Sequence, residues 1–202
     1  MKAGIFLVGT ELLNGATIDT NSIYIAEELN KYGIEIEFKM TVRDVMDEIV
    51  KALKYAKKNV DLVILTGGLG PTDDDITKEA MAKFLKKKLI IDEKEKAELL
   101  KKYKSYGNLN KTNFKEVEKP EGAISFKNDV GMAPAVYIDG LVAFPGFPNE
   151  LKNKNIIGFR VEVPFGMRIV QGYVIDTFEK YEGKTDISNF KYIKKAIQIK
   201  EM

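Results

Sequence analysis

The residues best suited to chemistry lie in one run, Gly67-Gly68-Leu69-Gly70-Pro71-Thr72-Asp73-Asp74-Asp75-Ile76-Thr77. Glycines allow positive φ and a close backbone approach to a ligand. Thr72 and Asp75, three residues apart, have capping-box spacing, and the free amides of a helix start favour an anion such as phosphate. Asp73, Asp74 and Asp75 would repel that anion unless a hard divalent cation (Mg, Mn or Co) bridges carboxylate and phosphate oxygens. The metal ligands expected on this reading are Asp74 and Asp75. Aspartates in a first helical turn also cap amides and suit the helix dipole without any ligand, so both readings stand on local grounds. No Gly-Lys-Ser/Thr follows the glycines, which excludes a Walker A loop.

Two zeros narrow the chemistry further. The 202 residues contain no Cys and no His, which removes disulfides, thiolate nucleophiles, His/Cys zinc sites and imidazole bases. Carboxylates, Lys, Arg, Tyr, hydroxyls, backbone amides and an oxygen-liganded metal remain. Phosphate chemistry assisted by Mg²⁺ or a similar ion fits that inventory best. A net charge of +2 is too small to argue for nucleic acid or a membrane, 45% apolar residues suffice for a core, and no apolar run reaches spanning length. The segment MKAGIFLVGTELLNG has no signal-peptide pattern, so a cytoplasmic location is expected.

The elements that must position this run alternate. Ala3–Val8 is a continuous apolar stretch, as for a strand covered on both faces, and it enters the glycine-flanked loop Gly9-Thr10-Glu11-Leu12-Leu13-Asn14-Gly15. Asp19, Thr20, Asn21 and Ser22 offer N-caps for a helix to about Tyr32 with Ile25, Leu29 and Tyr32 on one side. Ile34–Val42 alternates like a strand nearer an edge, and Asp44 is placed to cap a helix with Val45, Ile49, Leu53 and Ala56 on its inner face. Val60–Thr66 leads into the glycine run, and the next helix has Ile76, Ala80, Met81 and Phe84 at core spacing. This β-α-β-α-β-α order predicts a mostly parallel sheet with helices on both sides. Ligands of such sheets bind beyond the carboxyl ends of strands, where Thr10, Glu11, Asn14, Asp44, Asp74 and Asp75 would share one rim.

Further along, Lys86, Lys87 and Lys88 read as a solvated helix end, and AVYIDGLVAFPG as a hairpin turning at Asp139 and Gly140. The turn Pro145-Gly146-Phe147-Pro148 is either punctuation or a rigid wall presenting backbone amides to a ligand. Residues 152–202 are expected to form a small α+β appendage or interface arm, with a basic end that is weak support for nucleic-acid binding.

The motifs GTELLNG, DTNS, TVRD, TGGLGPTDDDIT, KPEGA, NDVGMAP and FPGFPNEL resemble the N-terminal domain of the competence-damage-inducible CinA proteins. The resemblance covers residues 1–151, and because that domain is similar to the molybdopterin-binding fold of MogA, MoaB and MoeA it implies a three-layer α/β/α fold. The resemblance implies metal-dependent hydrolysis of ADP-ribose or a related nucleoside diphosphate compound. The molybdopterin relatives imply instead a pterin or nucleotide binder without hydrolysis. By position, Gly67, Gly68, Gly70 and Thr72 match the phosphate cradle, Gly146 and Pro148 the later wall, Asp75 the loop aspartate and Asp44 the acid after the second strand. The catalytic set expected on the hydrolytic reading is Asp44, Asp75 and Glu11, and the expected binding set also takes in Gly9, Thr10, Asn14, Asn21, Thr66, Pro71, Thr77 and Pro145. Asp74 stands where adenylyltransferase relatives carry a basic residue, and Asp73 where many CinA-type sequences have His. The expected partners are a small-molecule nucleotide or pterin and further copies of the chain, with nucleic acid and membrane not expected.

Overall fold

The structure is a computed structural model that describes residues 1–106, 110–151, 160–165 and 168–173. The chain divides into two compact units, Met1–Asn153 and Lys154–Met202.

In chain order the first unit comprises β1 (Lys2–Val8), α1 (Thr10–Leu13), α2 (Asn21–Lys31), β2 (Glu35–Val42), α3 (Met46–Asn59) and β3 (Leu62–Thr66). Next come α4 (Thr77–Leu85), β4 (Leu89–Ile91), α5 (Glu93–Tyr106), a 3-10 helix (Lys111–Val117), β5 (Glu118–Pro120) and β6 (Ile124–Phe126). A hairpin of β7 (Ala135–Ile138) and β8 (Leu141–Phe144) precedes α6 (Pro148–Leu151). In the second unit β9 (Arg160–Phe165) and β10 (Arg168–Tyr173) pair antiparallel, in line with the strands expected there. The rest of the expected appendage lies outside the described residues.

The central sheet runs β2-β1-β3-β8-β7-β6. Pairing is parallel from β2 through β8 and antiparallel across β8-β7-β6, so the mostly parallel sheet with helices on both faces is borne out. Its chemistry follows the strand sequences. From Ala3 to Val8 and throughout β3 every residue is buried, as continuous apolar runs require, whereas β2 alternates between exposed and half-buried residues at the sheet edge. Phe6, Val8, Val63 and Leu65 join Ile49, Leu53 and Ala56 of α3 and Ala80 and Met81 of α4 in one core cluster. Ile5 and Ile64, alternate residues on the same strands, point to the other face and are fully buried, as are Ile25 and Leu29 of α2. The hairpin turns at Asp139 and Gly140 as expected, with φ of 50° and 78°.

Three helix details differ from the sequence expectation. Tyr32 is exposed and ends α2 instead of joining its buried face, and Val45 is exposed as the residue before α3. The short helix α1 occupies what sequence patterning marks only as a loop.

Candidate functional site

Four loops leave the carboxyl ends of β1, β2, β3 and β8 on one rim, and hydrogen bonds between their residues hold them together. After β1, the Gly9 amide donates to Val42 O (3.0 Å). The Thr10 amide and hydroxyl both donate to Asp44 Oδ2, at 2.8 and 3.1 Å. Asp44 therefore does not cap α3 as its position suggests. Val45 occupies that cap without a side-chain bond, while Asp44 reaches to a residue 34 positions away. The Glu11 carboxylate lies over Gly9, where an added Cβ would meet Oε1 at 2.5 Å. Asn14 is exposed, and its amide donates to Thr10 O.

The next layer forms at the end of β3. The buried Thr66 hydroxyl donates to Pro145 O (3.2 Å) and accepts from Asn21 Nδ2 (3.0 Å), which also donates to Gly146 O (2.7 Å). The Gly67 amide donates to Phe144 O, and a Cβ on Gly146 would stand 3.2 Å from Gly67 Cα. The α2 start, the β3 loop and the Pro145-Gly146 turn thus converge. Asn21 Oδ1 is buried there with no hydrogen-bond partner among the described residues. The amide orientation is chemically fixed, because Gly146 O can only accept and so demands the amino group.

Gly67 and Gly68 have φ of 101° and 69°. Their need for glycine arises inside the protein rather than from a ligand: a Cβ would lie 2.3 Å from Val8 O at Gly67 and 2.4 Å from Thr77 Oγ1 at Gly68. Thr77 closes the loop by donating its hydroxyl to Gly67 O (2.7 Å) and its amide to Gly68 O (3.1 Å). At the loop's far side Asp75 Oδ2 accepts the Thr72 amide (3.0 Å) and hydroxyl, and packs where a Gly70 Cβ would be. This is the expected Thr72–Asp75 pairing, yet it closes a turn and not a helix. The helix α4 begins only at Thr77, with Ile76 as its uncapped N-cap, so Asp73, Asp74 and Asp75 precede it. A turn of Pro and acidic residues can satisfy its own amides through the aspartate side chain and defer the helix.

The fit to a divalent cation is limited. Asp44 and Asp75 each spend one oxygen on holding a loop, and Asp73 and Asp74 are exposed. Among the described residues no three acidic groups come together to hold a metal ion. One or two carboxylates plus ligand phosphates and water would be needed to complete a Mg²⁺ shell. Pro71 is half-buried in the loop, and Pro148 is exposed at the start of α6.

Behind the glycine loop lies a group that sequence patterning misses. Lys78, with no solvent exposure, donates Nζ to Leu69 O (3.3 Å), Lys115 O (2.6 Å) and Glu116 O (2.9 Å). Burial pushes its ammonium down to about 8. Lys115 donates to Thr72 O (2.7 Å) and pairs with Glu79 (3.1 Å), and Tyr103 donates its hydroxyl to the buried Glu116 carboxylate. Burial raises Glu116, with Asp75 adding to the rise, and the same burial pushes the Tyr103 hydroxyl up to about 12. A signal for Lys78 exists in retrospect: Lys78, Met81, Ala82 and Leu85 have inward helical spacing.

Residues 4–155 match the family described as "Probable molybdopterin binding domain". Residues 146–202 match the 3'DNA-binding domain (3'BD). A CinA-like protein of Fusobacterium nucleatum is 93% identical over 153 residues, which is 76% of this chain and 38% of that protein. A protein of Clostridium beijerinckii described as competence-damage inducible is 42% identical over 161 residues, 75% of this chain and 38% of its own length. Among solved structures, the protein CinA of unknown function from Thermoplasma acidophilum overlays with a TM-score of 0.70 at 35% identity, over 75% of this chain and 91% of that one. The chain thus spans 38% of the length of these two curated relatives.

Proposed function

Because residues 4–155 make this chain a member of the molybdopterin-binding-domain family, we propose that the rim binds a phosphorylated pterin or nucleotide. The observation that carries this reading is the orphaned Asn21 Oδ1. A buried polar atom without a partner calls for a donor, and the Asn21 amide is already locked by Thr66 and Gly146 in the orientation that leaves Oδ1 as a pure acceptor. Pterins and adenine both carry N–H donors, and a ribose carries O–H donors. The phosphate end would lie along the amides of Gly68 to Gly70, which Thr77 and Asp75 hold in shape. Calorimetric titration of the full chain with ADP-ribose and with a phosphorylated pterin tests this. Binding of at least one, weakened about tenfold or more by Asn21→Ala, is expected from the loss of the bond at Oδ1 together with the two bonds by which Asn21 holds Thr66 and Gly146. Absence of binding by both would overturn it.

A second reading adds hydrolysis, and the exposed Asp73 and Asp74 beside the turn favour it. Asp74 and Asp75 would hold a divalent cation, which would supply charge neutralisation at the phosphoanhydride. Asp44 or Glu11 would take the proton of an attacking water, the new P–O bond replacing the bridging one to yield two phosphomonoesters. Release of AMP from ADP-ribose with Mg²⁺, Mn²⁺ or Co²⁺, and none with EDTA, is the test.

For the tail, the match of residues 146–202 to a 3'DNA-binding domain supports a separate reading as a DNA-end contact. Fluorescence anisotropy of the full chain with a recessed 3'-end duplex, across a salt series, checks it. Binding that weakens linearly in log salt is expected.

A further inference from the structure

A cation sealed beneath the glycine loop is unusual, because a buried ammonium is costly unless its charge is used or fully bonded. Lys78 spends its three N–H groups on carbonyls from two segments. Leu69 O belongs to the glycine loop, while Lys115 O and Glu116 O belong to the 3-10 helix. The loop itself, Gly67 to Thr77, contains three aspartates and no basic side chain. An anion lying along Gly68 to Gly70 would therefore meet Asp73, Asp74 and Asp75 from the solvent side. Among the described residues, two positive charges bond to the loop's carbonyls, from behind and from the flank: Lys78 on Leu69 O and Lys115 on Thr72 O. Lys115 is already paired with Glu79. Among the described residues Lys78 has no direct carboxylate bond, and its charge sits in a medium that screens it poorly.

Resting on the phosphate-binding reading above, we infer that Lys78 is the positioning residue of the anion site: it fixes the glycine loop through Leu69 O and supplies buried positive charge to the bound phosphate, so that anion binding and protonation of Lys78 are coupled.

The groups around Lys78 set the window in which this coupling is visible. Glu79 on α4, Glu116 on the 3-10 helix and Glu118 on β5 favour its charged form, and Lys115 opposes it. Asp75 and Lys102 act on Glu116, and Tyr103 is bonded to it. Burial outweighs all of these and brings the ammonium down to about 8. By linkage, an anion that gains from the charge raises that value, and its own affinity falls as pH rises past 8.

The test uses ADP-ribose in EDTA as the probe, since its disubstituted diphosphate does not titrate between pH 6 and 10. Calorimetry of the full chain should show affinity falling about fivefold from pH 7 to pH 9, the change expected when the anion raises the Lys78 midpoint about tenfold in proton affinity. Lys78→Met should bind more weakly at pH 7 and show no such fall. In wild-type protein with ¹³C-labelled lysine, the resonance titrating near pH 8 should move to higher pH on adding ADP-ribose, which keeps the inference testable should Lys78→Met not fold. A flat wild-type profile, or a lysine midpoint unmoved by a probe that binds, overturns the role of Lys78 and leaves the binding reading intact. Failure of both ADP-ribose and a phosphorylated pterin to bind at pH 7 overturns the binding reading and this inference with it.

Discussion

Asp44 and Thr10 stand on loops after different strands, and one carboxylate oxygen of Asp44 accepts both the amide and the hydroxyl of Thr10. The bond joins the loop after β1 to the loop after β2, so the carboxylate proposed as a general base also has a structural task. Asp44→Ala is expected to cost about 1–2 kcal/mol through the two lost hydrogen bonds. Thr10→Ala in the Asp44→Ala background should cost less than it does alone. Urea unfolding of the four-protein cycle measures this, and additive costs would mean the pair does not hold the loop.

Asp74 and Asp75 should separate under mutation. Asp75→Ala removes the acceptor of the Thr72 amide and hydroxyl and should destabilise the protein by about 1 kcal/mol. Asp74→Asn changes an exposed side chain and should leave stability within about 0.5 kcal/mol. If the chain hydrolyses ADP-ribose, Asp74→Asn should raise the Mg²⁺ concentration required for half-maximal rate. Unchanged metal dependence would remove Asp74 from the metal's surroundings.

The glycines of the loop differ in what they protect. Gly67→Ala places a Cβ on Val8 O at positive φ, combining left-handed strain with a clash against backbone, and is expected to cost about 2–5 kcal/mol. Gly15→Ala, at φ 72° with open space around it, should cost only the strain, about 1–2 kcal/mol. Thermal denaturation of the two variants tests the difference, and equal losses would show that the Val8 contact yields without cost.

Stability should rise with pH where Lys78 titrates. The folded protein releases that proton near pH 8, whereas an unfolded lysine keeps it to about 10.5, so between these values the unfolded state holds more protons and is disfavoured as pH increases. The urea midpoint of wild type minus that of Lys78→Met should grow from pH 7.5 to pH 9.5. This rise opposes the loss of anion affinity over the same range, and a difference that shrinks would contradict the burial of a charged Lys78.

Much of the fold is legible because its signals are local. The all-apolar runs of β1 and β3, the alternation of β2 and the Asp139-Gly140 turn each reflect a period or a backbone preference carried by a few adjacent residues. The rim follows from strand order alone, which brings the Thr10, Asp44, Thr66 and Gly146 loops together. What escapes is tertiary. Asp44 has the sequence context of a helix cap, but its partner is set by the pairing of β1 with β2. The start of α4 slips to Thr77 because Asp75 satisfies Thr72 first. Lys78 has inward helical spacing, but the carbonyls of Lys115 and Glu116 on the 3-10 helix that receive its ammonium lie nearly forty residues along the chain.

The position of β3 between β1 and β8 has a consequence for how the molecule is made. Val63 to Thr66 pair with Leu141 to Phe144, across nearly eighty residues of intervening chain. While a ribosome is still extending the polypeptide short of Leu141, the apolar margin of β3 has no neighbour on that side, and such an unsealed margin invites pairing with another nascent chain. The hairpin of β7 and β8 is thus the closing stave of the sheet, and shielding of the half-built form until it arrives is a demand this topology places on the cell.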